Sequence, residues 1–195
     1  RVIHCYDKEN SSYKIDVRDG DTIWGMEEFS VQKPITRNYI YEFIFHKLLS
    51  YSNLISLKYF FINLSMNDTA QGIYAVEEGF SKELIERNKK RNGPIFGLEE
   101  DKGTVFPFVR HDLYSSQYWI SNYPDLTSTA LSKLNLLKDS EIQLNDNFDL
   151  EKWATFFAII DLTSSVHGSI SKSVKLFYNP VTSKFEPIGF DAHYQ

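Results

Sequence analysis

The 195-residue chain has one cysteine, Cys5, so it can form no internal disulfide and offers no thiolate pair to a metal. Long apolar runs are also missing. None approaches the roughly 20 residues needed to cross a bilayer, and no charged-then-apolar leader with a small-residue cleavage site is visible. An excess of positive charge is absent too: 21 Lys and Arg against 26 Asp and Glu give a net charge of -5. That sign is wrong for holding a phosphate backbone, so nucleic acid is not an expected partner. The one basic cluster, "ERNKKRNG" from Glu86 to Gly93, reads as the solvated end of a helix before a glycine turn. Hydrolase signatures are lacking, with no "GxSxG" and no "HExxH", and the five histidines at 4, 46, 111, 167 and 193 show no ligand spacing. No internal repeat or low-complexity segment suggests a solenoid or a linker.

What is present is enough for a core. A content of 42% hydrophobic and 15% aromatic residues can offset the ordering of the backbone, and the length fits one domain. Alternation from Tyr13 to Val17, the turn "RDGDT" and the run around Phe29 and Val31 predict a small sheet. After Pro34, Ile40, Phe43, Ile44 and Leu48 recur at helical spacing in a segment that also holds His46. "LKYFFINLS" and "QGIYAVEEGFS", separated by "MNDTA", predict an antiparallel pair ending at Glu77 and Glu78. A short helix starts at Ser81 and closes at Asn92 and Gly93, followed by the extended piece "PIFG".

Residues 98 to 125 carry no period and read as loops and turns. A weak helix is expected from Thr127 to Leu137, then a polar surface loop. The clearest helix is "FDLEKWATFFAIIDL", with Asp149 as N-cap and Leu150, Trp153, Ala154, Phe157 and Ile160 as its apolar face. The expected class is therefore α+β: a sheet-rich lobe over 1–97, an irregular connection over 98–145, and a core helix, polar loop and hairpin over 146–195.

The last segment carries the chemistry. Helix, polar loop "TSSVHGSISKS", strand "VKLFY", turn, strand "FEPIGF" and then Asp191 is the order in which protein-kinase-like folds place a catalytic loop and a metal-binding aspartate. Phosphoryl transfer needs a carboxylate for Mg²⁺, a cation for the nucleotide phosphates and a group that positions the acceptor hydroxyl.

Four stretches, "GMEEFSVQKPITRNYIYEFIFHKLL", "FINLSMNDTAQGIYAVEEGFSKELIERNKKRNGPIF", "FDLEKWATFFAIIDLTSSVHG" and "KLFYNPVTSKFEPIGFD", resemble in order the spore-coat protein H (CotH) kinase family, which is distantly related in fold to eukaryotic protein kinases. The segments "GxYxxxE" and "YNPxTxxxEPIGFD" are the most specific. The resemblance implies an atypical, ATP- and Mg²⁺-dependent protein kinase acting on Ser or Thr of a coat or surface protein, in a bacterial spore coat, secreted or at the cell surface. It implies Asp191 as the metal-binding acid, Glu78 in the nucleotide site and His167 beside the acceptor. It also implies Ser173 at the place of a second metal contact, where the family usually has Asn, and Lys14 as the neighbour of a phosphate-binding Lys position that here is Ser11. Arg37 fits the family's "PxTR" pattern.

Each of these residues also has a structural reading: Asp191 as a turn acid, Glu78 as a cap on the helix near Ser81, His167 as a packed histidine, Lys14 as a solvated strand residue and Arg37 as part of a helix start. Family chains often show "PIFK" where Gly97 stands and continue beyond the aspartate, so a continuation after Gln195 is expected. The departures at Ser11, Gly97 and Ser173 imply the alternative of a catalytically degenerate module for surface attachment or coat assembly.

Overall fold

The computed structural model describes residues 2–4, 12–100, 109–138, 143–170 and 172–193. β-branched and aromatic runs broken by Gly, Asn and Asp turns fold into two antiparallel sheets. The first has β1 (Val2–His4), β2 (Tyr13–Asp16), β3 (Glu28–Gln32), β4 (Tyr59–Met66) and β5 (Thr69–Glu78) in the order β1-β2-β3-β5-β4. Asn67 and Asp68, both at positive φ (49° and 60°), close the β4–β5 hairpin where "MNDTA" predicted a turn. One face of this sheet buries Phe29, Val31, Tyr74 and Val76 with Met26.

Between β3 and β4, a 3₁₀ turn (Pro34–Arg37) leads into helix α1 (Tyr41–Tyr51). The helix is present, but its buried face is not the one the apolar spacing predicted. Ile40 and Ile44 are exposed, while Glu42, Phe45, His46 and Leu49 face inward. The reason is that two polar side chains of this stripe take backbone partners from distant segments. The Leu57 amide donates to His46 Nδ1 (3.2 Å), His46 Nε2 lies 3.2 Å from Glu42 Oε1, and the Ala192 amide donates to Glu42 Oε2 (2.8 Å). A stripe holding two partnered polar residues is invisible to a hydrophobic count.

After β5 comes helix α2 (Lys82–Arg87). The second sheet has β6 (Ile95–Glu100), β7 (Val109–Leu113), β8 (Lys175–Asn179) and β9 (Lys184–Ile188) in the order β7-β6-β8-β9. The loops expected over 98–125 are corrected where residues are described. β6 runs on to Glu100 and β7 pairs with it, followed by α3 (Ser116–Asn122) and α4 (Pro124–Lys138), the latter opening three residues before the expected helix. Trp119 is the buried side chain of α3, too little to show a period, whereas α4 buries Thr127, Ala130 and Leu134 at the helical spacing behind its weak signal. A four-residue turn, α5 (Leu144–Asn147), sits within the expected surface loop.

α6 (Leu150–Thr163) starts as predicted, with the Lys152 amide donating to Asp149 Oδ1 at 3.3 Å. Because it is apolar nearly all round, its inward face is set by packing: Phe156, Ile159 and Ile160 meet Phe45, Leu49 and Leu54, leaving Leu150 and Phe157 largely exposed. A 3₁₀ turn (Val166–Ser169) then leads to the β8–β9 hairpin, in which every β8 residue is buried. The described architecture is α+β, with mixed helices and antiparallel sheets.

Candidate functional site

The hairpin ends in Gly189, Phe190 and Asp191, and close packing fixes where Asp191 emerges. A Cβ on Gly189 would lie 2.2 Å from Leu49 Cδ1 and 2.7 Å from Phe45 Cε1, so only glycine lets the strand end lie on α1. Phe190 packs edge-on against Phe80, with ring centres 5.2 Å apart. Asp191 adopts φ 57°, a left-handed conformation that costs a non-glycine residue about 1–2 kcal/mol.

Its neighbours hold it there. His167 Nδ1 lies 3.0 Å from the Asp191 carbonyl, which fixes the proton on that nitrogen, and 3.1 Å from Asp191 Oδ2. Ser173 Oγ donates to the same Oδ2 at 3.3 Å. Arg37 reaches Oδ1 at 2.5 Å, and the next amide, Ala192, is the one held by Glu42. His193 stacks on His167 with ring centres 4.0 Å apart and brings its Nδ1 to 3.0 Å from Asp191 Oδ1.

The charges do not balance. Glu42, Glu77 and Asp191 are three buried carboxylates, and Arg37 is the guanidinium placed among them, 3.7 Å from Glu77 Oε2. Glu42 Oε1, Glu77 Oε1 and Asp191 Oδ1 have no hydrogen bond of good geometry among the described residues, nor has Arg37 Nε. Burial, opposed by Arg37 but reinforced by Glu42 and Asp191, pushes the Glu77 carboxyl up to about 7. Burial would lower the Arg37 pKa, but Glu77, Asp191 and Glu42 outweigh it and hold Arg37 above its ordinary value. Burial also holds His193 below the usual histidine range, despite the Asp191 carboxylate. Among the described residues, the side chains that converge closely enough to share a cation are His167, Asp191 and His193 on one side and Glu42, His46 and Glu77 on the other, and a surplus of buried carboxylate favours a divalent ion there.

A family model described as CotH kinase protein matches residues 6–193. The chain belongs to the CotH kinase family. Comparison with curated proteins returns no match.

Of the residues singled out in this CotH sequence, the structure brings Arg37, His167, Ser173 and Asp191 together. It does not bring Lys14 or Glu78. Lys14 is half exposed and pairs with Glu28 at 2.9 Å and Asp16 at 3.9 Å. Glu78 is buried, ion-paired with Arg87, and accepts the Lys58 amide at 2.7 Å. Ser11 lies outside the described residues. At Gly97, the Lys175 ammonium from the paired strand lies 3.6 Å from where a Cβ would be, so a lysine borders that position from β8.

Three residues of the site escaped sequence reasoning. Glu77 adjoins Glu78, and alternation along β5 decides which of the two faces Arg37. Glu42 had no signal beyond an acid in an apolar helix. His193 is two residues beyond Asp191, a spacing that gains meaning only once His167 stacks on it.

Proposed function

We propose that the chain is an ATP- and Mg²⁺-dependent protein kinase of CotH type, one domain over 1–195 on an atypical protein-kinase-like fold, that phosphorylates Ser or Thr of a partner protein at a coat or cell surface. The observation that carries this reading is Asp191. It is a buried carboxylate in a strained conformation, held by Arg37, His167 and Ser173 among surplus carboxylates that suit a divalent cation. Asp191 would hold the metal, with the Ser173 hydroxyl and Glu77 close by, and the bound ion would supply charge neutralisation to the phosphates. A cleft of about 300 Å³ lined by Phe80, Ser81, Gly93, Ile95, Tyr114 and Trp119 is linked to the site through Phe80, which also packs on Phe190, and suits a flat aromatic base.

In the transfer, the acceptor hydroxyl oxygen forms the new bond to the γ-phosphorus and the bond to the ADP oxygen breaks. The hydroxyl proton passes to His167 Nε2, the nitrogen left basic because Nδ1 is spent on the Asp191 carbonyl. Radiolabelled phosphate transfer from ATP should fall by orders of magnitude in Asp191→Ala. Equal transfer by that variant sinks the proposal.

A second reading, a degenerate CotH module for attachment or coat assembly, draws on three observations. Lys14 is engaged with Glu28, Gly97 has no side chain, and the Ser173 hydroxyl is already spent on Asp191. Calorimetry with ATP and Mg²⁺ separates the two: metal-dependent binding favours the kinase, and none at millimolar ATP favours the module.

A further inference from the structure

We infer that Arg37 is the phosphate-binding cation of the nucleotide site, and that its ion pair with Asp191 is a resting state that it leaves when a triphosphate and its metal bind. The inference rests on the kinase reading above.

Arg37 ends the 3₁₀ turn before α1. Its guanidinium lies 2.5 Å from Asp191 Oδ1, 3.7 Å from Glu77 Oε2 and 5.4 Å from the centre of the Phe190 ring. Two of these neighbours are carboxylates with orphaned oxygens, and Arg37 Nε is itself buried without a hydrogen bond. One fork therefore spans two acids, tightly at Asp191 Oδ1 and loosely at Glu77 Oε2, which already accepts from Gln32, so a single buried cation is shared between two carboxylates.

A divalent cation and Arg37 compete for Asp191 Oδ1. Once Asp191 is taken, Arg37 keeps Glu77 and the Phe190 face and has donors free for an anion beside the metal. The planar guanidinium presents paired N–H groups that match phosphate oxygens, and it stays charged when buried. Lys14, the cation the sequence offered for this task, is held on the exposed Glu28 and Asp16. The segment carrying Arg37 is followed by two residues at positive φ, Asn38 (48°) and Tyr39 (62°), so its end is not locked into helix geometry.

The expected signature is a pair of opposite effects. In the full chain, Arg37→Met removes the competitor, so Mn²⁺ alone should bind several-fold tighter by calorimetry or electron paramagnetic resonance. ATP in saturating Mn²⁺ should bind roughly 10- to 100-fold weaker, as expected for the loss of a charge-assisted hydrogen bond. Arg37→Lys, which keeps the charge and protects the fold should the Met variant fail, should lose roughly three- to tenfold in ATP affinity as the paired N–H geometry is lost. A purely structural Arg37 would weaken metal and nucleotide together, or neither, and either result overturns the inference. ATP affinity within twofold of wild type in Arg37→Lys, when the Met variant does not fold, overturns it as well. Wild-type protein that binds neither Mn²⁺ nor ATP instead overturns the kinase reading on which it stands.

Discussion

Glu77 and Glu78 are chemically the same residue, and one step along β5 gives them different work. Successive side chains on a strand point to opposite faces. Glu77 therefore meets Gln32, Arg37 and Asp191's surroundings, whereas Glu78 is closed off by Arg87 and the Lys58 amide. Replacing Glu78 by Gln should cost about 1–3 kcal/mol, the penalty for a weakened buried acceptor, and leave Mn²⁺ binding unchanged; denaturant unfolding and calorimetry check both halves. Glu77 should show itself in pH dependence. Its carboxyl is raised in the folded chain from an ordinary 4.5 to about 7, so it binds more protons folded than unfolded between those values. Its contribution to stability is thus fully present below about pH 4.5 and lost as pH rises through about 7, at no more than about 1.4 kcal/mol per pH unit. Glu77→Gln removes the titration, so the melting temperature of wild type relative to this variant should fall between pH 5 and pH 8. A constant difference across that range would show that Glu77 does not titrate there.

At the scale of elements, the hairpin and α6 were legible because their signals are local: the N-cap Asp149, the turn "NPVTSK" and the alternating strand composition. The sheet-rich first half was legible for the same reason. α4 was legible only as a weak helix from Thr127 to Leu137, because its buried face rests on Thr127, Ala130 and Leu134, two of them small. β7 and α3 were not legible, since each shows too few apolar residues in sequence to give a period, Trp119 being the buried side chain of α3. Nor was the orientation of α1, because its inward stripe carries Glu42 and His46, whose partners come from Leu57 and Ala192. The same contact makes Gly189 a test of how the site is mounted. Gly189→Ala would press a methyl group into Leu49 and Phe45, both fully buried, and overpacking of this kind costs about 1–3 kcal/mol. In a chain of this size the melting temperature should drop by roughly 2–12 °C, and metal affinity should fall with it because Asp191 is two residues away. Unchanged melting would mean that the strand end lies clear of α1.

Across the whole molecule, Asp191 is where separate parts of the chain meet: the turn before α1 through Arg37, α1 through Glu42 and Ala192, the loop after α6 through His167, and the second sheet through its own hairpin. A site assembled from segments up to 150 residues apart exists only when all of them are folded, so a ligand bound there must stabilise the entire chain by mass action. At a hundred times its dissociation constant, ATP with Mg²⁺ or Mn²⁺ should add about 2.7 kcal/mol, which in a chain of this size raises the melting temperature by roughly 5–11 °C. Asp191→Asn keeps the shape and removes the charge that Arg37 and His167 meet, so it should melt somewhat lower without ligand and lose most of the shift with metal and ATP present. Thermal unfolding of both proteins with metal alone, ATP alone and the two together measures this directly. A shift that needs both components and disappears in Asp191→Asn ties nucleotide and metal to this carboxylate, whereas an equal shift in the variant would place the ligand elsewhere in the fold.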